Sequence, residues 1–146
     1  IAFHASHDIH AGFPTAGSGD SGNPPTNRRD WGCAYEILPF LEQQPLFNHA
    51  SNTVVRTTPL PVYYCPSRRA PGLYNNQAKC DYAGNGGTRV TSDGMTGMVV
   101  RAAGSGNSFR QGPLRIPLVT DGLSNTLMLA EKLVNRPTMG GSTNDF

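Results

Sequence analysis

Apolar residues in this chain recur in short bursts, each closed by glycine, proline or asparagine, and the bursts predict short elements. Ile1, Ala2, Phe3 and Ile9 form one side of a helix over residues 1–11, which Gly12 and Pro14 stop. Residues 15–27 carry no apolar period and read as a loop. Between Trp31 and Ala50, Tyr35, Leu38, Leu41 and Leu46 fall near helical spacing, with Pro39 predicting a kink or two short helices and Pro45 a second break. Val54, Val55, Val62, Tyr63 and Tyr64 are β-branched or aromatic, and the last three predict a strand ended by Pro66. Ala70 to Lys79 reads as a loop. Asp81 to Thr88 is a run of small residues that suits a close backbone crossing.

Farther on, Ser92-Asp93-Gly94 is a turn, Met98 to Val100 a short strand, and Ala103 to Asn107 a loop. Leu114, Ile116 and Leu118 alternate, which predicts a strand interrupted or ended at Pro117. Asp121-Gly122 is a strong turn signal. Thr126 to Lys132 reads as a buried strand, with a helix as the close rival for so short an apolar run. Residues 135–146 show no core pattern, and the chain has no internal repeat.

The length of 146 residues suits one domain, spanning 1–146, with a modest core. With 17 glycines, 12 prolines and only 15% charged residues, the chain is rich in turns and poor in long helices. A net charge of +2 gives no case for nucleic acid, and the basic pairs Arg28-Arg29 and Arg68-Arg69 read as solvated surface. No apolar run approaches the roughly 20 residues of a membrane span. The first residues, Ile1-Ala2-Phe3-His4, lack an initiator Met, so the chain is expected to be a fragment of a longer protein. Of the three cysteines, Cys65 and Cys80 bracket a Pro/Gly/Asn-rich loop. A disulfide between them would restrain it by about 3 kcal/mol, leaving Cys33 as an odd, buried thiol.

Four segments, in order, carry a resemblance to a known family. They are His4-Ala5-Ser6-His7-Asp8-Ile9-His10-Ala11-Gly12-Phe13-Pro14, then Trp31-Gly32 with Leu38-Pro39-Phe40-Leu41-Glu42-Gln43-Gln44-Pro45-Leu46-Phe47-Asn48. Next come Tyr64-Cys65-Pro66-Ser67-Arg68-Arg69 with Asp81-Tyr82-Ala83-Gly84-Asn85-Gly86-Gly87, and finally Val119-Thr120-Asp121-Gly122-Leu123-Ser124-Asn125-Thr126 ending at Glu131-Lys132. Together they resemble the bacterial family called domain of unknown function 1559, abundant in planctomycetes. The resemblance implies an α+β fold, with a pilin-like antiparallel sheet, short helices and long Gly/Pro-rich loops. It also implies export to the periplasm or cell surface, other surface or pilus-like subunits as partners, and a parent anchored in the membrane by an N-terminal helix. The family's prepilin-type leader and C-terminal His…Asp-Gly box are both expected outside this chain. No established reaction comes with the resemblance.

Two sets of side chains could hold a metal. His4, His7 and His10 sweep about 120° of a helix, with Asp8 between them. Imidazoles on one face can bind Zn²⁺ or Cu²⁺, although the common zinc spacing is i, i+4. Capping or packing of these rings is the competing role. Asp121, Ser124, Asn125 and Glu131 supply the oxygen types that Ca²⁺ prefers, and kinship with pseudopilins, some of which bind calcium, points the same way. A hydrogen-bonded Asx turn is the alternative.

As catalytic candidates, His7, Asp8 and Ser124 lack a Gly-x-Ser-x-Gly elbow, and neither Cys33 nor Cys80 is better supported as a nucleophile. The run Asp81 to Gly87 lacks the Lys-Ser/Thr of a phosphate loop. Trp31, Tyr35, Phe40 and Phe47 could stack a sugar, yet at helical spacing they suit a core. The leading expectation is the globular head of an exported pseudopilin-like surface protein with a structural or interaction role. The alternatives are an exported, Ca²⁺-dependent hydrolase of small esters or lactones, and a solute- or glycan-binding module.

Overall fold

A computed structural model describes residues 1–17, 28–88, 96–101 and 113–133. The loop expected at 103–107, the turn at 92–94, most of the loop over 15–27 and the patternless stretch 135–146 lie outside the described residues. In chain order the helices are α1 (Ala2–His10), α2 (Cys33–Glu36), α3 (Gln44–Phe47) and α4 (Asn52–Thr57), interspersed with short 3-10 turns. The strands are β1 (Leu73–Tyr74), β2 (Gln77–Ala78), β3 (Tyr82–Gly84) and β4 (Leu129–Glu131). The fold is α+β, built from short helices and two-stranded sheets, β1 with β2 and β3 with β4. Among the described residues, no helix is long and apolar enough to cross a membrane.

The chain divides into two compact units. The first comprises Ile1–Gln44 and Gly84–Met128. Here α1 packs on the 3-10 turn Leu38–Leu41. It ends at Ala11, whose left-handed φ of 55° turns the chain and sets Phe13 in the core at 1% exposure. Phe3, Tyr35, Ile37, Leu38, Met98, Val99 and Val100 complete that core. The segments after α1 are held by backbone hydrogen bonds: the Phe13 N–H donates to the Leu114 carbonyl and the Ala16 N–H to the Val100 carbonyl, both at 2.8 Å.

Gly84 lies so close to Val99 that an added Cβ would sit 2.6 Å from the valine Cβ. Gly87 and Gly97 face each other at a similarly tight crossing. The close backbone passage expected of the small-residue run is therefore present.

The second unit comprises Pro45–Ala83 and Leu129–Phe146, with Val55, Leu60, Tyr64 and Cys65 as its buried apolar residues. The β1–β2 hairpin pairs Leu73 with Ala78 and Tyr74 with Gln77. Asn75 and Asn76 both take positive φ (53° and 58°), the requirement of a two-residue I′ turn. The Lys132 N–H donates to the Asp81 carbonyl, and the Asn85 N–H to the Met128 carbonyl. Rising numbers on one strand meet falling numbers on the other, so β3 and β4 run antiparallel.

Several sequence expectations change. The stretch 52–57 is helical despite Val54 and Val55, because Ser51 caps it by accepting the Val54 N–H. Residues 61–63 and 116–118 are 3-10 turns rather than strands; each has a proline in its first turn, where a fixed φ favours helical geometry. Met98 to Val100 is buried but not in a strand. The loop expected at 70–79 contains the β1–β2 hairpin. β4 falls where a strand is predicted, but all three of its residues are exposed; among the described residues it pairs with β3 alone. By contrast, the Trp31–Ala50 stretch breaks as its prolines predict, into α2, the 3-10 turn and α3.

The Gly84 contact yields a test. Gly84→Ala is expected to destabilise the protein by about 1–3 kcal/mol through overpacking against Val99, read as a lower urea midpoint at an unchanged slope.

Candidate functional site

The most buried polar group described is the carboxylate of Asp81, at 0% exposure in the second unit. One oxygen accepts the Cys65 N–H at 2.9 Å and the other accepts from the Arg69 guanidinium. Asp81 also donates its own N–H to the Tyr63 carbonyl at 2.8 Å and accepts the Lys132 N–H at 2.7 Å. Through this one residue, the turn at 63–69 and the residue that follows β4, Lys132, are fixed to the start of β3.

Arg69 is buried as well, at 7% exposure, which corrects its reading as solvated surface. Its guanidinium carbon lies 4.4 Å from the Tyr74 ring centroid and 5.6 Å from that of Tyr64. A flat, weakly hydrated cation suits such a place between aromatic faces. The Tyr64 hydroxyl closes the unit further by donating to the Gly72 carbonyl (2.7 Å) and accepting the Lys79 N–H (2.9 Å).

Beside this pair sits Cys65. Its thiol donates to Glu131 Oε1 at 3.0 Å and lies 3.1 Å from the Ser67 hydroxyl. Arg68 pairs with the other Glu131 oxygen at 3.3 Å. Cys80 instead directs its sulfur to the Tyr82 carbonyl at 3.4 Å. The expected Cys65–Cys80 disulfide is absent: both are free thiols, each turned to a different hydrogen-bond partner. Burial, above all, raises the Cys80 thiol beyond its ordinary pKa. Glu131, one of the four proposed calcium ligands, is thus already engaged by a thiol and a guanidinium of its own unit.

In the first unit the three histidines of α1 take separate roles. His4 meets the Phe13 ring edge-on at 5.7 Å. His7 accepts the Ile116 N–H on Nε2 at 3.3 Å, so its proton sits on Nδ1, facing Asp8 at 3.5 Å. His10 donates from Nδ1 to the Ser6 carbonyl at 3.1 Å and lies edge-on to Phe40. Among the described residues, no three His, Cys, Asp or Glu side chains converge as an ion-holding group.

The Asp121 turn is formed as predicted. The Asn125 side chain donates to the Asp121 carbonyl at 2.9 Å and the Thr126 hydroxyl to the Gly122 carbonyl at 2.9 Å. Ser124 is exposed. Tyr35 is core, and Trp31 stacks at an angle on it while Arg28 covers the Trp31 ring.

Three stretches of this unit, at the end of α1, at Thr96–Met98 and along Pro113–Asp121, line a cleft of about 770 Å³. His10 and Ala11 of the first motif border it, as do Val119, Thr120, Asp121 and Thr126 of the last.

Sequence reasoning missed the Asp81–Arg69 pair. The available signal was an Asp inside an otherwise small-residue run and an Arg within the Tyr-Cys-Pro-Ser-Arg-Arg turn, each cheap to bury only with the other.

The family model described as protein of unknown function (DUF1559) matches residues 1–145. No curated protein and no solved structure matches the chain.

Asp81→Asn leaves the buried guanidinium without a counter-charge and is expected to cost about 3–5 kcal/mol, whereas the paired change Asp81→Leu with Arg69→Met recovers much of it; urea denaturation of the three proteins checks both statements. Because Cys80 holds its proton more tightly when folded, it binds protons that the unfolded chain gives up. Stability from this group is full below the ordinary thiol range and falls as pH rises through the raised value. Native Cys80 is accordingly expected to alkylate with iodoacetamide at pH 8 at least about tenfold more slowly than in urea, as followed by mass spectrometry.

Proposed function

The chain belongs to the DUF1559 family, and from that premise we propose that it is the globular head of an exported, pseudopilin-like surface protein with a structural or interaction role. The observation that carries the reading is how its motif residues are used. Asp81 joins Cys65 to Arg69, Asn85 accepts the Gly87 N–H and donates to the Leu127 carbonyl, Asn125 and Thr126 lock the Asp121 turn, and His7 receives the Ile116 N–H.

Side chains of catalytic type that are tied into backbone bonds stiffen loops and are poorly placed to exchange protons with a substrate. A stiff, loop-rich surface is what an assembling head presents to its neighbours. Its setting is the periplasm or cell surface, and its partners are other surface or pilus-like subunits.

The test uses the whole protein in the cells that produce it. A membrane-impermeant biotin reagent is expected to label it in intact cells, and a short-range crosslinker to join it to further envelope proteins or to copies of itself. Labelling only after lysis would overturn the export reading, and a protein that stays uncrosslinked at the surface would overturn the interaction role.

A further inference from the structure

We propose that the cleft of the first unit binds a small zwitterion, of free amino acid or dipeptide size, through Arg115 and Asp121. Its volume of about 770 Å³ falls within the range of ordinary small-molecule pockets. The two residues line it from either side of the 3-10 turn Ile116–Leu118. Among the described residues, neither the Arg115 guanidinium nor the Asp121 carboxylate makes a hydrogen bond or ion pair within the protein. That distinguishes them from the motif side chains tied into backbone bonds.

A guanidinium fits a carboxylate with two parallel N–H donors, and a lone carboxylate fits an ammonium. Met98, Leu118 and Val119 supply apolar lining for a side chain. One cationic and one anionic group on the same lining favour a ligand carrying both charges over a simple anion or cation. Among the described residues that line it, His10 alone carries an aromatic ring, so the cleft lacks the broad stacking surface a glycan would use.

The wall is prearranged, which lowers the cost of binding. Leu118 and Val119 close the 3-10 turn onto Arg115 and Ile116, the Gly122 N–H reaches the Val119 carbonyl, and Asn125 holds the Asp121 carbonyl. The Ile116 and Leu114 backbones are tied to His7 and Phe13. Two of the four family-like segments, more than a hundred positions apart in the chain, thus meet at this cleft. The site is independent of whether the head assembles with other subunits.

Calorimetry on the 146-residue chain tests it, with L-leucine and L-leucyl-L-leucine as probes. N-acetyl-L-leucine, which lacks the ammonium, and L-leucinamide, which lacks the carboxylate, serve as controls. A zwitterion is expected to bind, and each capped analogue to bind at least about tenfold more weakly, as loss of one charge-assisted hydrogen bond implies. Asp121→Asn should weaken L-leucine binding without changing that of N-acetyl-L-leucine. Arg115→Gln should weaken L-leucine without changing L-leucinamide. Both residues are exposed, so unchanged circular dichroism is expected for each variant. Absence of binding by either zwitterion at millimolar concentration would overturn the proposal. Equal affinity for the capped analogues would also do so, as would an Asp121-dependent response to Ca²⁺ in the absence of leucine binding.

Discussion

A chain whose longest described helix has nine residues and whose longest described strand has three cannot satisfy its buried backbone groups through regular ladders alone. Side chains have to take over that task, and most other features of the structure answer to this constraint. The Glu36 carboxylate accepts both the N–H and the hydroxyl of Thr15, at 3.0 and 2.6 Å. Asn85 acts in both directions across three stretches of chain, through its amide and its backbone. Asp81 does the same in the second unit, with the further demand that a full negative charge be matched. Leaving any such group unpaired in a dry interior would cost about 1–3 kcal/mol, which is large against the stability of a small domain.

This division of labour makes residue type a poor guide to chemistry here. A histidine, an aspartate and a serine in one sequence suggest a catalytic set, yet His7 is a hydrogen-bond acceptor for a loop amide and Ser124 lies exposed on a turn. Glu131, of the right type for calcium, anchors a thiol and an arginine. Polar side chains with no such obligation are the informative ones. In the first unit those at the cleft, Arg115 and Asp121, stand out for that reason.

The elements legible in the sequence are those with local causes. Helix α1, the breaks at Pro39 and Pro45, the Asp121-Gly122 turn and the position of β4 all follow from nearby residues. The family was legible from four ordered motifs, and its model covers residues 1–145. Where local signals conflicted, the cap or the proline prevailed over β-propensity, as at Ser51 for α4 and at Pro61 and Pro117 for the 3-10 turns. The Asp81–Arg69 pair was illegible because its cause is not local: twelve positions separate the partners, and neither one alone signals burial. The cleft joins residues near the start of the chain to residues beyond position 113, and periodicity carries no information at that range.

The hairpin between β1 and β2 has a consequence for how this protein can vary. Its turn consists of Asn75 and Asn76 alone, both in left-handed conformations, and its register places Tyr74 against the Arg69 guanidinium. One residue more or less would reverse the alternation of the following strand or break its pairing, and the buried cation would lose its closest aromatic face. Surface loops usually tolerate drift in length; a change of length in this turn would instead disturb a buried charge several positions upstream.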